Sequence, residues 1–202
     1  IMKGGKAMLT KRQNLIETIR GGKPDRYVNQ YEAFAMVLGN PFSARNPAPK
    51  PGEHNVVNAW GITKSWPEGT PGAFPVHDAA HIVCPDITAW KKTVHAPNVI
   101  FPAEEWEPYI KEVEKIDRKE YFVTQFVAPG IFEQCHYLQE IQNCLINFYE
   151  EPEAMHELID YLTEWGLQYA EQICKYLNPD PLFPPDDWGS QQSTFISPAM
   201  FE

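Results

Sequence analysis

Two neighbouring carboxylates, Asp186 and Asp187, stand directly before Trp188-Gly189-Ser190-Gln191-Gln192. They follow a short apolar pair, Leu182-Phe183, where a strand would hand over to a loop. In α/β proteins that end of a strand is where acid–base groups collect. Adjacent strand residues point to opposite faces, so one carboxylate of the pair is expected to face a site. Asp187 is the expected polar contact, with Asp186 supporting it. The competing reading makes one Asp a helix cap and leaves the other solvated, with Trp188 as packing.

Two further clusters invite chemistry. Glu133, Cys135, His136 and Tyr137 follow the Pro129-Gly130 turn, at the end of another strand-like run. A thiolate activated by an adjacent His is excluded on a helix, because residues i and i+1 do not face each other. Glu133 and His136 are left as pocket residues. His77 and His81, with Cys84 behind them, have zinc-ligand spacing only if the segment is helical. Pro75 and Pro85 bracket it, so a loop with two surface histidines is expected. No glycine-rich phosphate loop and no Gly-x-Ser-x-Gly elbow is present.

The elements that must carry these residues follow from patterning. Thr10 is placed to cap a helix with Leu15, Ile16 and Ile19 on one face, stopped by Gly21-Gly22. Tyr27–Tyr31 and Val56–Thr63 read as extended, with Pro-rich loops after each, and Asp86–Thr93 as a short helix. Trp106, Ile110, Val113 and Ile116 mark a helix over 104–116. Tyr121–Val127 is the clearest strand. Met155, Leu158, Ile159, Leu162, Trp165, Tyr169, Ile173 and Leu177 form one stripe of a helix from Pro152 to Leu177. Strands alternating with helices predict a parallel sheet with helical crossovers. Strands near Tyr27, Val57, Tyr121 and Leu182 are expected as parallel neighbours.

A chain of 202 residues with 43% hydrophobic residues is long enough for a sizeable core. Its net charge of −10 would repel a phosphate backbone, so nucleic acid is a poor partner. Four widely spaced cysteines with no signal peptide before them suit reduced thiols in the cytoplasm, and no apolar run is long enough for a membrane span. Residues 1–8 read as a leader or as foreign to the natural chain. Ser197-Pro198 reads as the start of a helix within which the chain ends, which suggests truncation.

Several stretches together resemble the uroporphyrinogen decarboxylase superfamily. Leu15–Arg26 is similar to its opening helix and Gly-x-x-Pro-Asp-Arg turn. Asn58-Ala59-Trp60-Gly61-Ile62 and Asp86–Lys91 continue the likeness. Asp186–Gln191 with Ile196–Phe201 resembles the Asp-Asp-Trp-Gly-x-Gln … Ile-Ser-Pro-x-x-Phe pattern of the corrinoid-linked methyltransferase and O-demethylase branch. The resemblance implies a (β/α)8 TIM barrel, of which this chain would be the N-terminal part. It implies an enzyme that moves a methyl group from a small methyl donor to a corrinoid protein. Zinc is implied too, with its ligands beyond this segment, so no metal is assigned to any residue here. A partial barrel would pair with another copy or with its missing half. Tyr31, Glu32, Trp60, Glu133, His136, Trp188 and Gln191 are then the expected substrate contacts around Asp186 and Asp187. Uroporphyrinogen decarboxylation itself is disfavoured. The Arg-rich stretch that clamps its carboxylates is replaced by Asn29–Phe34, and Asn58 stands where a catalytic Asp belongs. The remaining alternative is a barrel segment that only binds a ligand or partner.

Overall fold

The computed structural model describes residues 8–201. The expected leader lies outside the described residues apart from Met8.

The first helix, α1 (Lys11–Ile19), is fixed by a reciprocal cap. The Thr10 hydroxyl accepts from Gln13 N–H, and the Gln13 side chain accepts from Thr10 N–H. Six strands follow among the described residues: β1 (Phe34–Val37), β2 (Val56–Val57), β3 (Thr63–Ser65), β4 (Phe74–Pro75), β5 (Phe122–Phe126) and β6 (Leu182–Phe183). The helices between and after them are α2 (Ala103–Val113), α3 (Ile131–Gln139), α4 (Ile141–Glu150), α5 (Pro152–Leu177) and α6 (Pro198–Phe201). The Asp86–Thr93 segment is a 3-10 helix over Ile87–Lys92, capped by the Asp86 side chain.

The strands form two separate sheets. One is parallel, in the order β1-β5-β6, with Phe34 opposite Phe122 and Phe126 opposite Phe183. The other is an antiparallel meander, β2-β3-β4. This overturns the expected (β/α)8 barrel: no closed barrel and no single parallel sheet is formed by the described residues. The reason is local. Gly61 takes φ +78° and the Asn58 side chain accepts from Trp60 N–H and Ile62 N–H, so the run 56–63 doubles back instead of crossing over. Val57 therefore belongs to the meander. The first parallel strand is Phe34–Val37 rather than Tyr27–Tyr31, because Gln30 at φ 34° and the bonds Glu32 N–H to Asn29 O and Phe34 N–H to Tyr31 O make a turn there.

The long helix α5, of 26 residues, is about 39 Å long at the usual rise per residue. Its stripe is buried as patterned: Leu158 and Ile173 are fully enclosed, and Met155, Leu162, Tyr169 and Leu177 nearly so. The N-terminal half packs on Trp60, Trp90 and Leu138, and the C-terminal half on Phe42, Trp106 and Val123. Asn178 in the left-handed region ends it. The stretch from Ile131 to Glu150 is two helices, broken where Glu140 turns through φ 75°. No helix among the described residues is long and apolar enough to cross a membrane.

Candidate functional site

Two βα connections build the site. After β5 the chain turns at Gly130 into α3, and after β6 it runs into Asp186-Asp187. Asp186 closes onto the start of α3, its carboxylate accepting from Phe132 N–H and Glu133 N–H, both at 2.9 Å. These are two of the amide groups that a helix start leaves without partners, and the helix dipole favours the negative charge there. The approach requires glycine at 130, since a Cβ there would lie 2.2 Å from the Asp186 carboxyl carbon.

With its first turn held, α3 divides its residues by face. Phe132, Cys135, Leu138 and Gln139 are buried. Glu133, His136 and Tyr137, spaced i, i+3 and i+4, fall together on the other side and line a cleft of about 560 Å³. Asp187 joins them from the loop after β6. The opposite wall comes from the meander and the loop that follows it, including Phe74, Pro75 and His77.

The groups in this cleft perturb one another. Tyr137 donates a short hydrogen bond to Glu133. Burial pushes the Glu133 carboxyl above its ordinary value, and the charges of Asp187 and Asp186 push it further, against the Tyr137 bond and Lys64. Burial, then His77, lowers His136, so its imidazole is held neutral. Tyr137 is raised by burial and by Glu133, and keeps its proton. Lys64, on β3, holds its ammonium 4.1 Å from the centre of the Tyr137 ring; burial lowers its pKa against the pull of Glu133. Two buried ring nitrogens, His77 Nε2 and His136 Nδ1, have no hydrogen-bond partner.

The expected site residues separate into two groups. Glu133, His136 and Asp187 meet in the cleft, and Asp186 stands behind them as the α3 cap. The others lie elsewhere. Trp60 is 4% exposed, edge-on to Trp165 at 5.0 Å, and is core. Tyr31 and Glu32 precede β1 in a turn, with Tyr31 edge-on to Phe183. Trp188 lines a separate apolar recess against Phe201. Gln191 is exposed in the loop between Gly189 and Thr194. Tyr137, His77 and Lys64 are not among the expected site residues. Tyr137 and His77 stand in clusters that the sequence singles out, but Lys64 arrives through tertiary contacts without a local signal.

Cys135 is enclosed on the far face of α3, and burial raises its thiol well above the ordinary value, so it is not a nucleophile. His81 pairs with Asp78 at 2.7 Å in a turn, not a helix. Among the described residues no group of three or more His, Cys, Asp or Glu side chains is placed to hold a metal ion. The donor set for the implied zinc is therefore not found among them. Comparison with family models, curated proteins and solved structures found no match.

Proposed function

We propose that the cleft is an acid–base site acting on a small molecule, with Glu133 as the proton-bearing group. The observation that carries this reading is the arrangement on one face of α3. A carboxyl raised by burial shares a hydrogen bond with Tyr137, beside a neutral His136 and the free carboxylate of Asp187. Neighbouring groups pushed toward different protonation states are what proton transfer near neutral pH requires.

The narrower reading is methyl transfer, as in the corrinoid-linked branch of the uroporphyrinogen decarboxylase superfamily. Its support is the motif pair Asp186–Gln191 and Ile196–Phe201, together with the chemistry of the cleft. In that reaction the bond between the methyl carbon and its heteroatom breaks. The methyl group leaves for the nucleophile of the acceptor protein, and the heteroatom keeps the electron pair and takes a proton, here from Glu133. Burial, helped by the Asp187 charge, raises the Glu133 carboxyl above its ordinary value, and Tyr137 fixes the carboxyl's direction. Decarboxylation of uroporphyrinogen is opposed, because no Arg or Lys lines the cleft to meet the substrate's carboxylates.

The test is methyl transfer from small ether, amine and thioether donors to free cob(I)alamin. Glu133→Gln should lower turnover about 10²-fold, the usual contribution of a general acid. Turnover should fall as pH rises through the raised pKa of Glu133, since the acid must hold its proton. Unchanged turnover and an unchanged pH profile in Glu133→Gln would remove Glu133 from the mechanism.

A further inference from the structure

We infer that the ligand taken by this cleft is a small organic ammonium ion carrying at least one N–H and an apolar body. The inference deepens the acid–base reading above and rests on it for the identity of the site, though it concerns binding alone.

The polar side chains of the cleft are suited to accept. Asp187 has no hydrogen-bond or ion-pair partner among the described residues, and its carboxylate has only acceptor positions. The Glu133 carboxyl already accepts a hydrogen bond from Tyr137, which also removes the Tyr137 hydroxyl as a free donor. An ammonium N–H answers every one of these groups. A ligand carboxylate would donate to none of them and would meet the Asp187 carboxylate with like charge.

No lysine or arginine lines the cleft. The nearest cation, Lys64, faces the Tyr137 ring rather than lining the space, and burial works against its charge. Asp186, the third carboxylate, is already taken up by the amide groups at the start of α3. The uncompensated charge at the mouth is therefore negative. The remaining lining is apolar: Phe74, Phe195, Pro71, Pro75 and Ile141. Aromatic faces attract cations as well as apolar groups, so the same walls suit both parts of an arylalkyl ammonium.

The test is calorimetric titration of the protein with three ligands of matched shape: phenethylamine, 2-phenylethanol and 3-phenylpropionate. Phenethylamine should bind at least about tenfold more tightly than the alcohol, and the carboxylate should not bind. Asp187→Asn, at an exposed position, should weaken the ammonium about tenfold and leave the alcohol unchanged. Glu133→Gln serves as the second variant, and circular dichroism confirms that each variant folds. Equal affinity for ammonium and alcohol, tighter binding of the carboxylate, no binding of the ammonium, or indifference of ammonium affinity to both variants would each overturn the inference. N-methylphenethylamine separates the two claims. Its binding, with no demethylation of it or of the ether and thioether donors, upholds the ammonium site and sinks methyl transfer. Demethylation of ether donors with no ammonium binding does the reverse.

Discussion

The two ends of the parallel sheet treat charge in opposite ways. At the entry to β6, Asp180 accepts from Arg12 at 2.6 Å, from Arg118 at 3.1 Å and from Val123 N–H at 2.8 Å. Its own N–H donates to Val123 O at 2.7 Å. One carboxylate thus joins α1, β5, β6 and the turn after α2. At the exit, the Asp187 carboxylate has no partner among the described residues, and Glu133 is met only by Tyr137 and the partly desolvated Lys64. A carboxylate with all its partners inside the chain holds elements together. One without them is free to meet a ligand.

Removing the well-paired charge should cost most. Asp180→Ala leaves two guanidinium groups and the Val123 amide without their acceptor, in a place where the Asp side chain is only 17% exposed. The expected loss is about 3 kcal/mol in urea denaturation. A loss below about 1 kcal/mol would place Asp180 with ordinary exposed ion pairs and dissolve the contrast between the two ends.

The same contrast predicts opposite pH dependences. Burial alone would raise the Asp180 carboxyl, but the hydrogen bonds from Arg12 and Val123 and the charges of Arg12 and Arg118 outweigh it and hold it below its ordinary value. Its contribution to stability is present above the unfolded carboxyl's pKa of 3.8 and is lost as pH falls through the lowered one. Glu133 is raised, first by burial. Its contribution is present below the unfolded value of 4.5 and is lost as pH rises through the raised one. Urea midpoints measured between about pH 3 and 8 should therefore lose their acid-side slope in Asp180→Asn and their fall above 4.5 in Glu133→Gln. Slopes changing in the same direction would show that the two carboxylates are held alike.

Legibility in the sequence follows the range of the interactions involved. Helix α5 is written in one stripe whose spacing needs no other part of the chain, and its ends at Pro152 and Leu177 are where the sequence places them. β5 is likewise a local run of apolar and β-branched residues, although its centre buries the polar Thr124 and Gln125. The antiparallel meander was not legible, because the pattern reads Val56–Thr63 as one strand. A single left-handed residue, Gly61, with the Asn58 side-chain turn, makes it two arms of a meander. Trp60 illustrates the same limit: an aromatic residue in a motif can serve a pocket or a core, and only Trp165 beneath it decides. In the site, Glu133 and His136 follow from their place after a strand. Lys64 and His77 reach it from the meander, whose fold was not foreseen.

The sharpest comparison is within the pair Asp186 and Asp187, neighbours in sequence with different partners. Asp186 supplies acceptors to two α3 amides, so Asp186→Ala should cost about 1–2 kcal/mol, as the loss of a helix cap does. Asp187 contacts no donor among the described residues and is exposed, so Asp187→Asn should change stability by less than about 0.5 kcal/mol. Its effect should appear instead on Glu133. Removing the Asp187 charge takes away one of the causes that raise the Glu133 carboxyl, so that pKa should move down while burial keeps it above the ordinary value. Titration of the Glu133 side-chain carboxyl carbon by NMR in both variants reads this directly. A downward shift in Asp187→Asn with an intact denaturation midpoint is the expected pair of results. If Asp187→Asn instead destabilised the protein as much as Asp186→Ala, with the Glu133 titration unmoved, Asp187 would be a structural residue. The division of the two carboxylates between cap and cleft would then fail.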